Sequence, residues 1–155
     1  MEFIVQKFGG TSLVTGELRD QVAAKAIAVK EEGRTPVLVV SAIGRSGDPF
    51  ATDTLISFVR QTHRETSLRE MDLLMSCGEI ISGVMMAATL QKKGYPSVCL
   101  TGDQAGIITD GSFSDARILR VKPDNIIKHA KEGKIVIVTG FQGITEEGEV
   151  TTLGR

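Results

Sequence analysis

Short apolar runs alternate with helical patterns along this chain. Phe3–Phe8, Val37–Val40 and Ile135–Val138 are brief, rich in β-branched residues and apolar at successive positions, which predicts parallel strands buried on both faces. Ser97–Leu100 is a weaker fourth strand. Between them, Glu17–Glu32 sets Leu18, Val22, Ile27 and Val29 at helical spacing and closes on Gly33, while Pro123–Glu132 closes on Gly133. The segment Leu68–Lys93 repeats apolar residues at Leu73, Cys77, Ile80, Ile81, Val84 and Ala88, which predicts one buried helical stripe. Glu79 falls off that stripe, on a face with Met75, Ser76 and Gly83. A lone glutamate there reads as a solvated residue, but the adjoining mid-helix Gly78 points to close packing or function. Turns are expected at Gly111–Phe113, Gly140–Gly143 and Glu146–Gly148, with Phe141–Ile144 and Glu149–Leu153 forming a hairpin.

Alternating strands and helices imply right-handed crossovers and an α/β fold with a mainly parallel sheet. Ligands of such sheets bind beyond the carboxyl ends of the strands, where this chain places its Gly, Ser and Thr residues. The 155 residues suit one domain with a real core. Basic and acidic residues nearly cancel, 18 against 19, so no global field argues for nucleic acid or an anionic membrane. No apolar run approaching the ~18 residues of a membrane span is read, and no leader peptide, so a cytoplasmic location is expected. Cys77 and Cys99 lack metal-ligand spacing and read as core thiols; His63 and His129 read as surface residues.

The sharpest chemical signal is Lys7-Phe8-Gly9-Gly10-Thr11-Ser12 at the end of the first strand. Paired glycines let backbone N–H groups approach an anion, a helix start adds partial positive charge, and the lysine adds a full one. A tight strand-to-helix turn has the same pattern. The segment matches neither the Walker loop nor the dinucleotide fingerprint.

Six motifs span the chain in order: Lys7-Phe8-Gly9-Gly10-Thr11-Ser12, Val39-Val40-Ser41-Ala42 with Thr52-Asp53, Ser76-Cys77-Gly78-Glu79, Thr101-Gly102 with Gln104-Ala105-Gly106, Gly140-Phe141-Gln142-Gly143, and Thr151-Thr152-Leu153-Gly154-Arg155. With these the chain resembles the aspartate kinases of the amino acid kinase family, and Ser41–Leu55 is most similar to Gram-positive forms. The resemblance implies a three-layer α-β-α sandwich of the carbamate kinase type. It also implies transfer of the ATP γ-phosphoryl to the side-chain carboxylate of L-aspartate, the first step toward lysine, threonine and methionine. Family members continue past the position of Arg155 with a nucleotide-binding remainder and ACT regulatory domains. The chain is therefore expected to be the amino-terminal, substrate-side part of the kinase domain, incomplete and inactive alone. ATP and Mg²⁺ would be held mainly by the absent half. An acetylglutamate-type kinase, or a short non-catalytic anion-binding protein, are the alternative readings.

A carboxylate is already ionised at pH 7, so the implied reaction needs charge compensation rather than a general base. By resemblance Lys7 is the catalytic cation on the transferring phosphate, with Gly9, Gly10 and Ser12 completing the phosphate site. Glu79 would take the substrate amine and Arg155 its α-carboxylate, with Thr52, Ser41 and Phe141 lining the pocket. On the residues alone, Lys7 also reads as a solvated strand end, Ser12 and Ser41 as helix caps, and Phe141 as a core aromatic. No metal ligands are assigned within the chain. Self-association is expected through the strand edge and apolar face that the absent half would cover, giving a homo-oligomer.

Overall fold

A computed structural model describes residues 1–154. Its first sheet joins β1 (Phe3–Phe8), β2 (Thr35–Val40), β6 (Ile135–Thr139) and β3 (Ser97–Leu100), in the order β1-β2-β6-β3 and parallel throughout. Helices α1 (Gly16–Glu31) and α3 (Leu68–Lys92) cover one face, where Val22, Ala26, Met86 and Leu90 pack on Leu38, Val40, Ile135 and Ile137. Helix α4 (Asp124–Lys131) covers the other, with Ala130 and Ile126 against Val136 and Val138. Alternate residues of β2 and β6 thus feed opposite cores, giving the three α-β-α layers expected. Gly33 and Gly133 follow α1 and α4 in the left-handed conformation, at φ 79° each, as helix-closing glycines.

A second sheet, not foreseen, has the order β5-β4-β7-β8, from β4 (Ile107–Thr109), β5 (Ile118–Val121), β7 (Gln142–Ile144) and β8 (Val150–Thr152). It is mixed: β4 runs parallel to β7, while β4–β5 and β7–β8 are antiparallel, the latter being the expected hairpin. Helix α2 (Thr52–Thr62) was also unforeseen; none of its residues is buried.

Three expectations are corrected. β1 is an edge strand rather than one covered twice: Val5 is 66% exposed and Phe3 also faces outward, because α4 lies over β6 and leaves that face of β1 open. In α3 the stripe is largely reversed, with only Ile80 and Ile81 half-buried. Leu73, Val84, Cys77 and Ala88 are exposed, and the buried face carries Asp72, Met75, Ser76, Gly78, Glu79, Ser82, Gly83 and Met86. Cys77 is accordingly no core thiol, and Cys99 is half-buried, with burial raising its pKa. Helix α3 is also long and apolar enough to cross a membrane by length and composition, although half of that stretch is packed inside the fold.

The reversal has a steric and a polar cause. A Cβ on Gly78 would stand 2.8 Å from Ala42 Cβ and 3.0 Å from Phe50 O, and one on Gly83 would stand 2.4 Å from Cys99 Sγ. Only small residues allow this approach. The fully buried Asp72 carboxylate accepts four hydrogen bonds, from Ser114 N at 2.8 Å, Ser114 Oγ at 2.9 Å, Thr152 N at 2.7 Å and Thr152 Oγ1 at 2.8 Å. It fastens α3 to β8 and to the loop after β4. Gln142 adds a link, its Nε2 donating to Ser76 O at 3.1 Å. Replacing Asp72 by Ala strands two backbone donors, so Asp72→Ala is expected to lower unfolding free energy by about 3 kcal/mol. Urea denaturation checks this; a loss under ~1 kcal/mol would mean the clamp does not hold the two sheets together.

Candidate active site

Because β1, β2 and β6 are parallel, their carboxyl ends open on the same side, with Lys7 paired to Val39 and Val40 to Thr139. The chain leaves these ends through Gly9-Gly10, Ser41-Ala42 and Gly140-Phe141. A cavity of 430 Å³ lies there, and its wall includes Lys7, Gly10, Ser41, Thr52, Glu79 and Phe141. Residues from five parts of the chain meet in it, as beyond-the-strand sites require.

Glu79 enters from the buried face of α3 and is 2% exposed; its Oε1 accepts from Ala42 N at 3.3 Å. Lys7 reaches the cavity from the exposed face of β1. Among the described residues, no carboxylate forms an ion pair with Lys7. Thr52 opens α2 beside the cavity, and the N-cap Ala51 supplies no side-chain hydrogen bond to that helix start. Phe141 holds φ at 65°, a left-handed conformation costing a non-glycine residue about 1–2 kcal/mol. It is braced by Leu153 N donating to its carbonyl at 2.9 Å.

Gly10 has a reason to be glycine that the sequence did not disclose: a Cβ there would lie 2.1 Å from Ala42 O, so the loop after β2 crosses directly over it. Gly44 N seals the crossing by donating to Gly10 O at 3.1 Å. Gly9 has open space around it and does not line the cavity. Ser12 lies instead in a cleft with Leu18, Gln21 and Lys25, outside the cavity. Neither Ser12 nor Ser41 caps a helix; Thr15 and Ser67 cap α1 and α3. Arg155 lies outside the described residues. Thr101 and Gln104 close a turn on each other, and Gly102 packs against the backbone of Gln142, so that motif supports the hairpin rather than the cavity. His63 is exposed, and the partly buried His129 contacts Glu132.

Sequence reasoning missed Arg45, Ser46 and Asp53 on the cavity wall. Asp53 stood within a motif that was quoted, but Arg45 sits in a loop whose folding back over Gly10 has no sequence signature. Among the described residues no group of three or more His, Cys, Asp or Glu side chains could hold a metal ion.

The chain is similar to the aspartokinase of Bacillus sp. (strain MGA3), 46% identical over all 155 residues, which make up 36% of that relative. It thus spans little more than a third of the length of the curated relative. Among solved structures, an aspartate kinase from Synechocystis superposes with a TM-score of 0.77 at 39% identity, covering all of this chain and 24% of that one. Aspartokinase III of E. coli, solved with aspartate and ADP, has the same fold at a TM-score of 0.76 and 20% identity, covering all of this chain and 44% of that one. The model of the amino acid kinase family matches residues 2–155, and a single cavity at the carboxyl ends of its parallel strands fits that match: the chain belongs to the amino acid kinase family.

Proposed function

We propose that this chain supplies the amino-acid side of an aspartate kinase acting in the cytoplasm, which transfers the γ-phosphoryl of ATP to the β-carboxylate of L-aspartate. The observation that carries the reading is one cavity that brings together an exposed lysine, without an ion pair among the described residues, and a buried glutamate. The relatives named aspartokinase, and the E. coli neighbour holding aspartate and ADP, support the same substrates. The remainder of the triphosphate site would come from chain outside residues 1–155.

A side-chain carboxylate oxygen attacks the γ-phosphorus; the bond to the β–γ bridging oxygen breaks and ADP leaves with the electron pair. No proton moves at the attacking atom, since the carboxylate is ionised. The barrier is electrostatic. Two unit charges at 4 Å repel by about 4 kcal/mol at an effective dielectric near 20. Lys7 offsets this at the transferring group, and of the two glycines expected there Gly10, which lines the cavity, is the one placed to add a backbone donor. Glu79, held by Ala42 N, complements the substrate ammonium and so points the β-carboxylate away from itself. Ser41, Thr52 and Phe141 shape the pocket, and Arg155 grips the α-carboxylate. Ser12 plays its part only from outside the cavity, through the loop it follows.

In the complete gene product, Lys7→Met should lower kcat by about 10²-fold or more. Glu79→Gln keeps an acceptor for Ala42 N but loses the charge, and should raise KM for aspartate about 10-fold or more with a smaller effect on kcat. A coupled ADP-release assay measures both, and full activity in Lys7→Met would contradict the reading.

We also infer that copies of the chain self-associate. Phe58, Leu73, Val84 and Met85 present large apolar side chains on α2 and α3, and β1 leaves an edge unpaired. Light scattering should report dimers or larger species; a monomer at high concentration would count against it.

A further inference from the structure

Among the described residues Arg45 is a second cation on the cavity wall, and no role for it comes from the motifs in the sequence. Its loop is tightly built. Gly44 takes φ 91° and donates its N–H to Gly10 O at 3.1 Å. Arg45 N donates to Asp48 Oδ2 at 2.8 Å, Asp48 N returns to Arg45 O at 2.9 Å, and Gly47 N donates to Thr54 Oγ1 at 3.0 Å in the first turn of α2. The loop is thus tied to the glycine segment at one end and to a helix at the other, and Arg45 is carried as a fixed neighbour of Gly10.

No acid meets its guanidinium among the described residues. The Asp48 carboxylate accepts from Arg45's backbone rather than pairing with its guanidinium, and among the described residues no carboxylate forms an ion pair with Arg45. Arg34, Arg69 and Arg120 each meet a glutamate, whereas Arg60, Arg64 and Arg117 form no ion pair among the described residues, so what sets Arg45 apart is that it shares a cavity wall with Lys7. With no acid ion-paired to either among the described residues, Arg45 and Lys7 on one cavity wall make a site for an oxyanion. Phosphate is the oxyanion this points to, because Arg45 follows Gly44, which is bonded to Gly10, and shares the cavity wall with Lys7.

We propose that Arg45 is an anion-binding residue of this cavity that grips phosphate oxygens alongside Lys7. On the reading that this wall faces a phosphoryl donor, Arg45 divides the charge of the transferring group with Lys7 and fixes its orientation, since a planar fork makes two parallel hydrogen bonds where an ammonium makes a point contact.

The test is titration of inorganic phosphate into the 155-residue chain by calorimetry at constant ionic strength, with far-ultraviolet circular dichroism confirming that each variant is folded. Arg45→Gln should weaken phosphate binding about tenfold, and Arg45→Lys should recover part of it. Arg60→Gln, on the exposed face of α2, should leave it unchanged. L-aspartate titrated in parallel should bind wild type and Arg45→Gln alike. Should Arg45→Gln match wild type for phosphate while Lys7→Gln is weakened, Arg45 is not a ligand although the phosphate wall stands. Loss confined to aspartate would assign the guanidinium to the amino acid and overturn the proposal. No phosphate binding by wild type would remove the phosphate wall itself, and Arg45's role with it.

Discussion

The site depends on how closely α3 approaches the two sheets. This helix lies on the first sheet near Cys99 and Thr139, passes Ala42 and Phe50 at Gly78, and is clamped to the second sheet through Asp72. Two glycines make the approach possible, and one buried carboxylate with four donors fixes its register. Glu79 sits between those anchors, seven residues beyond Asp72 on the same buried face. Its position relative to the strand ends follows from packing, not from loops.

Parallel strands do the rest. Since every chain crossing in the first sheet returns on the same side, the three strand ends bearing Lys7, Ser41 and Phe141 must open together. The loop after β2 then folds back across Gly10 and brings Arg45 to the wall. The arrangement suits a reaction between two anions: basic groups with no ion-paired acid among the described residues on the strand side, a carboxylate for an ammonium on the helix side.

Much of this was legible. β1 and β3 run over the residues their apolar patterns marked, and the glycines after α1 and α4 close those helices. Lys7, Gly10, Ser41, Thr52, Glu79 and Phe141 share one cavity, as motifs matched in order led us to expect. What failed has physical reasons. Periodicity assumes that a helix buries its most apolar face. In α3 close packing brings glycine and serine inside beside Met71, Met75, Met86 and Leu90, and Asp72 is stabilised by donors that lie 42 and 80 residues away, so Leu73, Cys77, Val84 and Ala88 are left outside. β4 has three residues and β5 is exposed throughout, leaving neither a burial pattern to read. Ser12 and Arg45 are decided by which way a loop turns, and only the Gly10 crossing settles that.

The most direct test is to titrate L-aspartate into the isotopically labelled chain and follow backbone amides by two-dimensional nitrogen–proton NMR. The account predicts shifts concentrated at Gly10, Ser41, Ala42, Thr52 and Glu79, weakened by Glu79→Gln. Shifts confined to another surface, such as the cleft at Ser57–Arg64, with Glu79 and Ala42 unmoved, would contradict it.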